Sequence, residues 1–165
     1  MPGARPRRAS AAVALACALA LAGCSSLNGD DGSGTSVFDL VPGMCVLAPS
    51  HEEVSVELAA VTTVPCEDPH ELEVFALVEY PEPTDSATQA GSSFPGDAML
   101  KDFADGACVG AFAEYVGVDY RDSELFFTYL VPSARSWQAE DDRTVLCLIT
   151  TTGEQLTQSV AGTGW

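Results

Sequence analysis

The sequence predicts an α+β domain: an antiparallel sheet with one main helix packed across it, stapled by two disulfides. Three observations predict it. Short runs of alternating or β-branched residues recur between turn residues, as half-buried strands require. A single stretch, Leu100 to Tyr115, carries apolar side chains at helical spacing. Beyond residue 24 lie four cysteines, an even set suited to pairing in an oxidising compartment.

Export is expected from residues 1–23. Arg5, Arg7 and Arg8 form a positive n-region, and Ala11 to Leu21 is uncharged and apolar. That apolar run is shorter than the roughly 20 residues a stable membrane span needs. It closes on Leu21-Ala22-Gly23-Cys24, a branched residue and two small ones leading into a cysteine. This resembles the lipobox of bacterial lipoproteins, in which the cysteine thiol carries diacylglycerol and becomes residue one. The expectation is a lipoprotein signal peptide over 1–23 and lipidated Cys24, holding the protein on the outer face of the cell membrane. Several acyl chains anchor stably where one binds reversibly, since each buried methylene contributes about 0.8 kcal/mol.

Residues 24–36 are small, polar and glycine-rich, a flexible tether. Its Asp30-Asp31-Gly32 lacks the regular oxygen ligands and terminal Glu of a calcium loop. The extracytoplasmic domain is expected over 37–165. Gly43 to Leu47 reads as a short strand after the Pro42-Gly43 turn. Val54, Val56 and Leu58, then Val61 to Val64, carry strand signal, ended by Pro65 to Pro69. In Glu71 to Tyr80, Leu72, Val74, Ala76, Val78 and Tyr80 are expected on one face, with Glu71, Glu73 and Glu79 as solvated charges at the ends of the other. Pro81 to Pro95 has no apolar period and reads as a long loop. The helix stripe is Leu100, Phe103, Ala104, Ala107, Cys108, Ala111, Phe112 and Tyr115, with Asp97 near its positive end and Gly117 to stop it. Leu125 to Val131 and Thr144 to Thr150 complete the sheet, with Pro132 and Trp137 at a corner between them.

Cys45, Cys66, Cys108 and Cys147 allow three connectivities. Cys108 lies in the apolar stripe of the helix and Cys147 shares a strand face with Val145 and Ile149, so both point into the core. That is the geometry a bridge needs, and it leaves Cys45 and Cys66 for each other.

Charge narrows the partners. All 24 acidic residues lie beyond residue 23, against only Lys101, Arg121, Arg135 and Arg143. Such a surface repels phosphate backbones, so no nucleic acid is expected. The partners expected are the membrane, through lipidated Cys24, and an envelope protein or cell-wall component.

Chemistry is sparse. Only His51 and His70 can serve near neutral pH. The densest polar cluster, Cys66-Glu67-Asp68-Pro69-His70-Glu71-Leu72-Glu73, would offer Cys66, His70 and Glu73 to a metal. One cysteine and one histidine do not make a closed zinc set, and a bridged Cys66 is spent. No metal and no cofactor are therefore expected. A Gly-x-Ser-x-Gly elbow and a phosphate-cradling glycine loop are absent from the sequence, and the cysteines are committed to disulfides. An enzyme is not expected. His70, Trp137 and Trp165 are the candidate interaction residues, the tryptophans because aromatic side chains often anchor interfaces.

Taken together these residues resemble the septum-formation domain of secreted and membrane-anchored actinobacterial proteins. The resemblance runs through Val37-Phe38-Asp39-Leu40 with Gly43 and Cys45, then Val64-Pro65-Cys66, Pro69-His70-Glu71 and Glu73-Val74-Phe75. It continues at Cys108, Phe112, Tyr115-Val116-Gly117, Ser123 and Leu125. Pro132, Ser136-Trp137, Asp142-Arg143, Cys147-Leu148, Leu156-Thr157 and Ser159 complete it. Asp141 and Gln158 stand where the pattern has glycine, which points to altered turns. The resemblance implies a link to cell division and brings no catalytic residues. The expected function is a membrane-anchored binding or scaffolding lipoprotein linked to septum formation; the alternative is an envelope enzyme or metal-dependent sensor using the His70 region.

Overall fold

The computed structural model describes residues 34–49, 58–81 and 93–165. The expected signal peptide, Cys24, most of the expected tether, His51, the expected strand residues Val54 and Val56 and most of the Pro81–Pro95 segment lie outside the described residues.

Among the described residues, seven strands form two antiparallel sheets. In chain order they are β1 (Thr35–Ser36), β2 (Cys45–Val46), β3 (Ala60–Val61), β4 (Thr63–Val64), β5 (Leu72–Glu79), β6 (Phe126–Leu130) and β7 (Thr144–Thr150). β1 pairs with β3, and the main sheet runs β4-β2-β5-β7-β6. Thr35 and Ser36, assigned to the tether by their composition, are thus held by Val61 and Ala60. Backbone pairing does not require apolar side chains, so composition gave no sign of this strand. The α-helices among the described residues are α1 (Asp97–Val116) and the short α2 (Ala134–Ala139).

The helix forms where its stripe predicts. Leu100, Ala104, Cys108, Phe112 and Val116, four apart, are buried along one side of α1. Gly117 closes it in the left-handed region at φ 92°, where a side chain would be strained, and its N–H caps Ala113. Against this stripe pack Phe75, Val145, Cys147 and Ile149 from the sheet. Leu146 and Leu148 point the other way, into a second cluster with Leu40, Val46, Val61 and Val74. The main sheet is therefore covered on both sides, by α1 on one and by the N-terminal segment on the other. On that second side a mainly apolar recess of about 890 Å³ stays open between Phe38, Leu77 and Leu130.

Both disulfides form as expected. Cys108 on α1 bridges Cys147 on β7 across the core, with Cα atoms 5.6 Å apart, and Cys45 bridges Cys66 at 5.3 Å.

Strict alternation fails in β5. The register against β7 shifts between Val74 and Ala76, a bulge at Phe75. Val74 joins the second cluster while Ala76 and Val78 pack on the α1 side, so residues expected on one face are divided between two. A one-residue slip changes the face of everything after it. Glu73, expected as a solvated strand-end charge, is fully buried.

Candidate functional site

One end of the main sheet gathers most of the polar chemistry. Cys45 lies opposite both Val64 and Glu73 in the ladder, so the strands set the Cys45–Cys66 disulfide and the Glu73 carboxylate side by side. The turn after Pro65, closed by the Asp68 N–H on the Pro65 carbonyl at 2.9 Å, delivers His70 to the same end. The His70 backbone then exchanges hydrogen bonds with Leu156 at 3.0 and 2.8 Å, joining this turn to the C-terminal segment.

His70 is completely buried. Its Nδ1–H donates to the Asp68 carbonyl at 2.8 Å, while Nε2 has no hydrogen-bond partner. The Sγ atoms of Cys45 and Cys66 and a ring nitrogen of His70 all lie within 4.8 Å of one another.

Glu73 is fully partnered. Oε1 accepts from the Tyr115 hydroxyl and the Ser159 hydroxyl, each at 2.6 Å, and Oε2 accepts from the Val160 N–H at 2.9 Å. One buried carboxylate thus ties β5, α1 and the C-terminal segment together. Burial, and then the hydrogen bond to Glu73, push the Tyr115 hydroxyl well above the usual phenol range. Next along the chain, Glu71 accepts from the Ala48 N–H at 3.0 Å and the Gln155 amide at 2.6 Å. Those two bonds, the backbone one first, hold its carboxyl below the ordinary value.

The metal set suggested by sequence is only partly assembled. Cys66 and His70 do meet, but the third member of the cluster is Cys45 and not Glu73, whose carboxylate is spent on Tyr115, Ser159 and Val160. Sequence pattern missed this because Cys45 is 25 residues from His70 along the chain; the disulfide expectation was the signal that joined Cys45 to Cys66.

A second polar knot sits at the opposite end of β7. Ser133 and Ser136 form a capping box that starts α2, and Ser136 also donates to Asp142 at 2.9 Å. Trp137 is buried, with the Arg143 guanidinium 3.9 Å over its ring and Tyr80 and Phe94 edge-on. Of the two expectations for Trp137, an interface anchor and a corner packed on the core, its burial behind Tyr80 and Arg143 fits the second. The short helix that carries it was not expected, since six residues are too few to show a period. Trp165 is half exposed, and its carbonyl accepts from the Ser123 hydroxyl.

The residues that carried the resemblance meet in pairs: Glu73 with Tyr115 and Ser159, His70 with Leu156, Ser136 with Asp142, Trp137 with Arg143. Among the described residues, no helix is long and apolar enough to cross a membrane. A family model described as septum formation matches residues 42–164 of the chain. No curated protein and no solved structure matches it.

Proposed function

The chain belongs to the septum-formation family, and from that membership, with its link to cell division, we propose that it is a membrane-anchored extracytoplasmic lipoprotein that binds or scaffolds other envelope components during septation. The family match over residues 42–164 carries this reading. Two further features support its details. Disulfides are stable outside the cytosol, and Cys45–Cys66 and Cys108–Cys147 suit a domain held there. Leu21-Ala22-Gly23-Cys24 supplies the anchor. Binding is favoured over catalysis because the reactive side chains serve the fold: Glu73 and Ser136 are saturated by internal hydrogen bonds and four cysteines are paired.

Fluorescent tagging in dividing cells tests it. Accumulation of the tagged protein at septa is expected, with crosslinking in intact cells recovering envelope proteins or wall fragments. Uniform distribution around the cell in dividing and resting stages would remove the septation reading.

A further inference from the structure

The corner formed by Cys45, Cys66 and His70 holds more chemistry than the oxidised domain uses. The Nδ1–H of His70 is fixed on a backbone carbonyl, which leaves the lone pair on Nε2. That nitrogen is buried and unpartnered, a rare state for a polar atom inside a protein. One ring nitrogen held by a carbonyl and the other bare is the arrangement in which metal-binding histidines are oriented. Two sulfur atoms stand within 4.8 Å of this ring.

We propose that reduction of the Cys45–Cys66 disulfide converts this corner into a binding site for a thiophilic divalent cation of the zinc type, held by the two thiolates and His70 Nε2. The fourth tetrahedral position is left for water or an incoming ligand. A dithiol reductant transfers two electrons to the S–S bond, becoming a disulfide itself and leaving two thiols. The cation then replaces two thiol protons, which pass to solvent. Around a tetrahedral zinc, with bonds near 2.0–2.3 Å, ligand atoms stand roughly 3.5–3.8 Å apart. The three side chains are already within 4.8 Å, so parting the sulfurs and closing on the metal takes only local movement.

Access makes the switch selective. Cys66 sits in a turn and is partly exposed, whereas Cys108 and Cys147 are both completely buried. Thiol–disulfide exchange needs an attackable sulfur, so a reductant opens Cys45–Cys66 first and leaves the core bridge closed. In the oxidised state the domain is a scaffold; in the reduced state it gains a cation.

The test uses the purified full chain and cobalt(II) as probe. After mild treatment with a phosphine reductant, one equivalent of cobalt should bind with sulfur-to-metal charge-transfer absorption and tetrahedral d–d bands, both abolished by zinc. Untreated protein should show neither. Peptide mapping should find Cys108–Cys147 intact in the loaded sample. His70→Ala should weaken zinc binding by at least about 10-fold, the lower end of what loss of even a supporting partner costs. Zinc-edge X-ray absorption on the unmutated protein settles the ligands even if that variant folds poorly: two sulfurs and one imidazole are expected. Equal binding before and after reduction, no sulfur-to-cobalt band, or a shell without imidazole would overturn the proposal.

Discussion

At the scale of single residues, the carboxylate of Glu73 has the widest reach. A buried charge is tolerated only when hydrogen bonds replace its lost water, and three donors do so here. Removing one leaves the charge under-satisfied. Tyr115→Phe should therefore lower stability by about 1.5–3 kcal/mol, read as a lower urea midpoint with unchanged slope. Glu71 behaves differently because it is near the surface. Its folded-state carboxyl titrates below the ordinary value of 4.5, so its contribution is present above that value and is lost as pH falls through the lower, folded one. Comparing Glu71→Gln with the unmutated protein should show a deficit under about 1 kcal/mol at neutral pH that vanishes in acid. Asp141 adopts φ 55°, the left-handed conformation that glycine takes at least cost, at a position where the resemblance led to an expectation of glycine. The turn is thus kept with a strained residue in it. Asp141→Gly should relieve that strain and raise the melting temperature by the equivalent of up to about 1 kcal/mol, since the ion pair it removes joins a largely buried Arg143 to an exposed, solvent-screened carboxylate.

At the scale of elements, α1 and the two disulfides decide how the domain holds together. The helix is a stripe of small and aromatic residues laid across β5 and β7, and Cys108 fastens its middle to the sheet. The bridges close spans of 21 and 39 residues, so the chain-entropy account assigns them about 3 and about 4 kcal/mol. Replacing Cys108 and Cys147 together by alanine should accordingly cost more than replacing Cys45 and Cys66 together, by thermal or urea unfolding. A larger loss from the Cys45/Cys66 pair would show that the turn before His70, not the helix, governs stability. The bulge at Phe75 is an element-scale device as well. It puts Phe75, Ala76 and Val78 on the α1 side, while Val74 and Leu77 face the other way.

At the scale of the whole molecule, the chain is strongly acidic. With 24 acidic residues against seven basic ones, it is repelled by phosphate-rich polymers. Cys24→Ala should move the protein from the membrane fraction to the soluble one; retention on membranes would sink the lipid-anchor reading. The C-terminal segment matters at this scale too, because Leu156, Ser159 and Val160 return to His70 and Glu73 and close the end of the sheet. Much of this architecture was legible beforehand. The helix stripe of Leu100 to Tyr115, the facing cysteines 108 and 147 and the β7 alternation all depend on local periodicity, which a chain displays along its own length. The burial of Glu73, the strand at Thr35–Ser36 and the trio of Cys45, Cys66 and His70 were not, since each is produced by a partner distant in sequence. Fold class, the favoured disulfide pairing and the family follow from apolar period, the core-facing placement of Cys108 and Cys147 and signature spacing, all properties of order along the chain. Only the tertiary structure decided which polar groups are saturated and which nitrogen is left bare, because hydrogen bonds and desolvation depend on neighbours that folding alone brings together.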